Sequence, residues 1–241
     1  MKTVIVTGAS GGIGGAIVNN LLGMGYHVIG ACRNTDHLPD TPGLTRLRLD
    51  LSSFDSVRKA AGQLSGMEIF GIINNAGIMP VRETVMTADG LERTFQVNYA
   101  ATRLFTELLI PQISRGGVIV FTSSVARKCA GKTDHAPERA AAASNPLTRF
   151  MAYGRTKRML CDLTKEMAMQ LAPEEIRVNA ATPGVVDTGL IRLGWKAIDR
   201  LADLIFRPII STPSQGAMAA MNAFSSPNTG MLFCQRGPIK P

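Results

Sequence analysis

The feature that most constrains this chain is a run of small residues, Thr7-Gly8-Ala9-Ser10-Gly11-Gly12-Ile13-Gly14, placed directly after a short apolar segment from Thr3 to Thr7. A turn so poor in side chains lets its backbone approach a ligand or another backbone closely. Where such a turn leads from a strand into a helix, the helix also presents unpaired N–H groups and the positive end of its dipole at the same place. A side chain at Gly8 or Gly12 would block a pyrophosphate, and Gly14 would let the helix pack on the strand. The reading is a phosphate-binding turn of Gly8, Ser10, Gly11, Gly12, Ile13 and Gly14, set against the alternative of a plain tight turn.

The rest of the chain repeats this alternation. Short runs rich in Val and Ile lie at Thr3 to Thr7, His27 to Cys32, Arg46 to Asp50, Ile69 to Asn74, Val118 to Thr122, Arg177 to Ala181 and Met231 to Phe233, with helix-length segments between them. Such runs indicate a mainly parallel sheet covered on both faces, a doubly wound α/β domain of Rossmann type with seven strands. The first helix is expected from Gly12, with Ile13, Ile17, Leu21 and Leu22 on its buried stripe and Gly23 and Gly25 closing it. A second long helix, Ala152 to Leu171, carries Met159, Leu160, Leu163 and Met167 at helical spacing, the methionines reading as core filler. Two segments lack regular patterning. Residues 127–150 read as an insertion that includes a short alanine run, Ala140 to Ala143, and residues 183–210 as a lid; together they are expected to wall a substrate mouth.

At 241 residues, with 45% apolar and 18% charged side chains, the chain fits a single globular domain over residues 1–241. No apolar run is long enough to span a bilayer, and Met1 and Lys2 lead straight into a strand rather than a secretory leader. The cytoplasm is the default location. Cys32, Cys129, Cys161 and Cys234 are far apart without a CxxC pair, so neither a metal site nor a disulfide framework is expected. The net charge of +8 comes from scattered basic residues rather than from a run, which argues against nucleic acid as a partner.

After the second strand, where a ribose-binding acid would select NAD, the chain reads Cys32-Arg33-Asn34. Arg33 stands 19 residues past Gly14, close to the roughly 20 typical of that acid. A guanidinium with no carboxylate beside it favours the 2′-phosphate of NADP(H), with Ser10 or Asn34 assisting. The alternative is a solvated surface charge.

Tyr153-Gly154-Arg155-Thr156-Lys157 sets a phenol and an ammonium at i and i+4 on one helix face. A nearby ammonium favours phenolate and would draw the Tyr153 pKa down toward the range of a general acid or base. With this pair the sequence resembles the short-chain dehydrogenase/reductase family over nearly its whole length. The matching motifs fall in family order: the glycine turn, Asp50-Leu51, Asn74-Asn75-Ala76-Gly77, Asn98, Ser123-Ser124, Tyr153 with Lys157, and Pro183-Gly184.

The resemblance implies an NADP(H)-dependent oxidoreductase that moves hydride between the nicotinamide and a carbonyl or secondary alcohol. Tyr153 would be the general acid/base, Lys157 would hold the nicotinamide ribose and lower the Tyr153 pKa, Ser124 would orient the substrate oxygen, and Asn98 would hold a water beside the lysine. Asp50 and Leu51 would meet the adenine, Asn75, Ala76 and Gly77 would line the adenosine side, and Pro183, Gly184, Val186 and Thr188 would line the nicotinamide side. Ser124 is chosen over Ser123 by alignment with the family pattern, although adjacent strand residues face opposite ways. His135 lies in the insertion with no partner at metal or triad spacing and reads as a solvated loop residue. Phe150, Met151, Leu190, Trp195 and Ile198 could line an apolar pocket or simply pack.

The insertion is longer than is usual for the family, and the chain lacks its frequent Val-Asp-Gly-Gly ending. The turn after the second strand and the ending resemble the retinol-dehydrogenase-like and carbonyl-reductase branch, which implies an apolar carbonyl or alcohol substrate. A homodimer or a homotetramer stays open, as do substrate and direction. The rival from another class is a dinucleotide-binding sensor or scaffold without turnover.

Overall fold

The computed structural model describes residues 1–80, 84–130, 146–184 and 212–239. Its strands are β1 (Thr3–Thr7), β2 (His27–Cys32), β3 (Leu44–Arg48), β4 (Ile69–Asn74), β5 (Ile113–Thr122), β6 (Arg177–Ala181), β7 (Leu232–Cys234) and β8 (Gly237–Ile239). They form one sheet in the order β3-β2-β1-β4-β5-β6-β7-β8, parallel throughout except for the β7–β8 pair. The helices that cover it are α1 (Gly12–Gly23), α2 (Phe54–Gln63), α3 (Ala101–Leu109), α4 (Pro146–Gln170) and α5 (Pro213–Ser225).

The strands are apolar on both faces because both faces are covered. Val4, Val6, Val28, Val118 and Val120 pack toward α1 and α5, while Ile5, Ile29, Ile72, Ile119 and Phe121 pack toward α2, α3 and α4. Each such side chain contributes about 1.5–3 kcal/mol by leaving water, so the two layers fix the order of the strands firmly. Strand order reverses between β1 and β4, and this switch opens a crevice at the carboxyl ends of the central strands.

Helix α1 starts at Gly12 as expected. Ile17 and Leu21 are buried, Ile13 and Leu22 half-buried, and Gly25 takes the left-handed conformation that closes the helix. Several features differ from the sequence-based reading. Among the described residues the sheet has eight strands rather than seven: after β7 the chain reverses through Gln235 and Arg236, and β8 pairs antiparallel at the edge, where Pro238 needs no ladder N–H. Strand β3 runs from Leu44 to Arg48, because Asp50 instead accepts bonds from Ser52 and starts the turn into α2. Strand β5 begins at Ile113, ahead of a register shift opposite Ile69 and Gly71. Helix α4 begins at Pro146, inside the segment expected to be irregular, since proline suits the first helical position.

Among the described residues no helix is long and apolar enough to cross a membrane, and no group of His, Cys, Asp and Glu could hold a metal ion. All four cysteines are free thiols.

Candidate active site

The glycine turn is built around contacts inside the protein. Gly8 takes a φ of +66°, and its N–H donates to the carbonyl of Ala31 at 2.8 Å. A Cβ at Gly8 would lie 2.9 Å from Ala76 Cα, one at Gly14 would lie 2.1 Å from the Gly8 carbonyl oxygen, and one at Gly12 would lie 3.2 Å from Pro213 Cγ. Gly14 therefore lets helix and strand meet as expected, whereas Gly8 is required by the Ala76 backbone and its own positive φ before any ligand is considered, and Gly12 is only tight against the Pro213 ring. The turn still suits a phosphate. Gly11 caps α1 with no side chain, no acid lies in the first turn, and Ser10, Gly11 and Gly12 are exposed. The N–H groups of the first turn thus lack acceptors of their own, a ready site for an anion.

Asn75 joins the two strands at the switch point. Its N–H and that of Ala76 both donate to Thr7 Oγ1 at 3.1 Å, and its Nδ2 donates to the Thr7 carbonyl at 3.1 Å. At the end of β2, Arg33 is exposed and makes no ion pair among the described residues. Asn34 accepts from Asp36 N–H at 3.1 Å and caps a short turn. The Asp50 carboxylate accepts from Ser52 N–H and Oγ at 2.9 and 2.6 Å. Leu51 packs its side chain into the core with Leu47 and Leu49, which leaves only its backbone to a ligand.

The second half of the site lies between β5 and α4. Ser123 and Ser124 leave the end of β5 in opposite directions. Ser123 Oγ donates to the Lys157 carbonyl at 2.8 Å and receives a bond from Cys161 Sγ, so it faces the body of α4. Ser124 caps the turn Val125–Cys129 by accepting from Ala126 N–H, and its side chain is hydrogen-bonded to the Tyr153 phenol. Gly154 allows this approach: a Cβ there would lie 2.3 Å from the Ala126 carbonyl oxygen.

Lys157 is buried, with 2% of its surface exposed. Its Nζ donates to the Thr122 carbonyl at 2.8 Å and stands 5.6 Å from the centroid of the Tyr153 ring. Burial pulls its pKa down to about 8, opposed by the neighbouring Cys161. Burial also pushes the Tyr153 phenol up to about 12, with the Ser124 hydrogen bond opposing. The expected lowering of Tyr153 by Lys157 is thus not what the structure has, because removing the phenolate from water outweighs what its neighbours supply. At neutral pH the phenol holds its proton firmly.

Asn98 lies in a π-helical stretch, Gln96–Ala100, just ahead of α3. Its Oδ1 accepts from Ile78 N–H at 2.8 Å, and its Nδ2 donates to the Ile78 carbonyl at 2.9 Å and to Thr156 Oγ1 at 3.1 Å. Gly77 fits beneath: a Cβ there would lie 3.0 Å from Lys157 Nζ and 3.4 Å from Asn98 Oδ1. Thr156 and the Thr122 carbonyl are site groups that the sequence analysis missed. Thr156 is marked only by its place beside Lys157, and a backbone carbonyl leaves no mark in a sequence.

At the far end of β6, Pro183 is buried and accepts from Gln235 Nε2 at 2.7 Å, and Gly184 takes a φ of +83°. Val186, Thr188, Leu190, Trp195, Ile198, His135 and Ala140 to Ala143 lie outside the described residues, as do most of the expected insertion and lid. Phe150 is exposed and Met151 half-buried at the start of α4.

The family described as enoyl-(acyl carrier protein) reductase matches residues 8–207. Among curated proteins, D-erythrulose reductase of Gallus gallus is 33% identical over 86% of this chain and 80% of its own length. L-xylulose reductase of Homo sapiens is 29% identical over 80% of this chain and 75% of its own length. Among solved structures, a 4-hydroxyisoleucine dehydrogenase complexed with NADH superposes with a TM-score of 0.72 at 27% identity, over 97% of this chain and 96% of the other. BdcA in complex with NADPH gives 0.74 at 25% identity, over 97% and 92%. With a doubly wound sheet, a glycine turn at its switch point, and a serine, tyrosine and lysine gathered beside it, the chain belongs to the short-chain dehydrogenase/reductase family of nicotinamide-dependent oxidoreductases.

Proposed function

We propose that the protein is an NADP(H)-dependent oxidoreductase that reduces a small carbonyl compound, or oxidises the corresponding secondary alcohol, with Tyr153 as the general acid/base. The observation that carries this reading is the hydrogen bond between the Ser124 side chain and the Tyr153 phenol, with the buried Lys157 ammonium alongside. Two neutral donors on one oxygen-sized position are what a carbonyl needs as negative charge develops on its oxygen.

In the direction of reduction, the phenol held protonated by burial gives its proton to the carbonyl oxygen, and Ser124 donates a hydrogen bond that orients that oxygen. Lys157, its Nζ 5.6 Å from the centroid of the phenol ring, would offer its remaining N–H groups to ribose hydroxyls. When bound, the nicotinamide supplies the hydride. The N–H groups of Gly12 and Ile13, with Ser10, Gly11 and the backbone of Gly8 and Gly14, would hold its pyrophosphate. Arg33 and Asn34 would face the 2′-phosphate, and Asp50, Leu51, Asn75, Ala76 and Gly77 would surround the adenosine half. Pro183, Gly184, Val186 and Thr188 would meet the nicotinamide half. Residues 127–150 and 183–210 would frame the substrate mouth of a single domain covering 1–241. The reductases named among the relatives make short ketoses the first substrates to try, before the apolar carbonyls suggested by the chain's ending.

The test is oxidation of NADPH and of NADH followed with erythrulose, xylulose and a panel of ketones, aldehydes and quinones, in the wild type and in Tyr153→Phe. Turnover with NADPH, reduced at least about a hundredfold in the variant while NADPH still binds, is the expected result. A wild type that binds NADPH but turns over none of the panel would favour the sensor reading instead.

A further inference from the structure

The hydroxyl of Thr156 closes a chain of hydrogen bonds that joins two halves of the site. A threonine hydroxyl carries a single proton. Here that proton is given to the Tyr153 carbonyl at 2.8 Å, so toward Asn98 the oxygen can only accept, and it does so from Nδ2 at 3.1 Å. Asn98 spends its other Nδ2 proton on the Ile78 carbonyl and uses Oδ1 to accept the Ile78 N–H. The chain therefore runs in one sense from the end of the β4 segment, through Asn98, into the turn of α4 that bears Tyr153 and Lys157. Thr156 and Asn98 are 1% and 0% exposed, so water does not compete for these bonds.

Two contacts show what this chain holds in place. On one side of the turn, Gly154 presses on the Ala126 carbonyl and so brings Tyr153 to Ser124. On the other, Thr156 is tied to Asn98 while Lys157 Nζ rests on Gly77, in the segment that Asn98 also grips. A helix turn clamped on both sides cannot rotate without pulling the phenol from Ser124 or the ammonium from Gly77. Thr156 is the polar half of that clamp.

We propose that Thr156 is a positioning residue for the reaction, whose hydroxyl sets the rotation of the Tyr153–Lys157 turn against the Asn75–Ile78 segment through Asn98. Its effect on rate rests on the oxidoreductase reading above, whereas the tie to Ile78 does not. The turn must be held because both reacting groups sit on it, and small displacements of a reacting group lower rate steeply.

The experiment compares wild type, T156V, T156A and T156S, with rates normalised to sites titrated by NADPH fluorescence so that unfolded protein does not count. Hydrogen exchange is read on peptides covering residues 75–80 and 160–168. T156V and T156A should each lower kcat about tenfold or more with the NADPH Kd within about threefold. T156S should restore at least half the wild-type kcat. In both deficient variants the Ile78 amide should exchange faster, while residues 160–168 keep wild-type protection. Wild-type kcat in T156V or T156A, or no rescue by serine, would overturn the role in rate. Unchanged exchange at Ile78 in both would overturn the tie itself. Exchange reads the tie whether or not the wild type turns over any ketone, so a failure here is distinct from a failure of the oxidoreductase reading.

Discussion

Gly154 and Ala126 are in backbone contact so close that a Cβ on Gly154 would lie 2.3 Å from the Ala126 carbonyl oxygen. That contact holds α4 against the turn that follows Ser124. Neither side can yield cheaply, since one partner is helix backbone and the other a carbonyl in a short capped turn. Gly154→Ala should therefore separate Tyr153 from Ser124. We expect a loss of about 1–3 kcal/mol in stability from overpacking, seen as a lower Tm, and a fall in kcat of at least tenfold in the folded fraction. Wild-type kcat in a folded Gly154→Ala protein would show that the contact does not set the site.

The buried ammonium of Lys157 makes stability depend on pH in a definite direction. Its pKa is about 8 in the folded chain against an ordinary 10.5, so between these values the unfolded chain binds more protons than the native one. Stability then rises with pH across that window. Tyr153 acts in the opposite sense above it. With a native pKa of about 12 against an ordinary 10.0, the folded chain keeps a proton that the unfolded chain loses, and stability falls as pH rises past 10.0. In cofactor-free protein, urea unfolding at pH 7, 8, 9 and 10 should show wild type gaining on Lys157→Met by up to about 3 kcal/mol over the window. Parallel pH curves for the two proteins would contradict a depressed lysine.

Gly77 tests the same ammonium from beneath. An added methyl would lie 3.0 Å from Lys157 Nζ, and the neighbour is the tip of a flexible chain that can move by a few tenths of an ångström. Gly77→Ala should therefore change stability by less than about 1 kcal/mol, yet weaken the bond from Nζ to the Thr122 carbonyl and lower kcat several-fold. A stable variant with unchanged kcat would mean that the exact seat of the ammonium is unimportant.

The sheet was legible in the sequence because strands covered on both faces must be almost wholly apolar, and runs such as Thr3 to Thr7 and Ile69 to Asn74 are. Strand β8 escaped because Gly237-Pro238-Ile239 is too short to alternate and includes a proline. The early start of α4 was hidden by Pro146, which reads as a breaker inside a charged segment although it suits a first helical turn. The burial of the Leu51 side chain was readable: Leu47, Leu49 and Leu51 keep a period of two and share one face. Other parts of the site depend on contacts between distant residues. Ala76 beside Gly8, Pro213 beside Gly12 and Thr156 beneath Asn98 are neighbours only in the folded chain. The direction of the Tyr153 shift follows from burial, which a pattern of residue types does not measure.

Arg33 bears on the choice of cofactor. It stands exposed at the end of β2, free of ion pairs among the described residues. If its guanidinium meets the 2′-phosphate, the contact is charge-assisted and worth about 1.5–3 kcal/mol, which corresponds to roughly 10- to 150-fold in affinity. Arg33→Ala should weaken NADPH by at least tenfold and leave NADH within twofold, as read by fluorescence titration. The NADPH advantage of the wild type should also shrink as salt is raised, because an exposed contact is screened. Arg33→Asp should go further: a carboxylate there would repel the 2′-phosphate and accept the ribose hydroxyls of NADH. Equal losses for both cofactors in Arg33→Ala, or a wild type that prefers NADH, would remove Arg33 from the binding site and leave it a solvated charge.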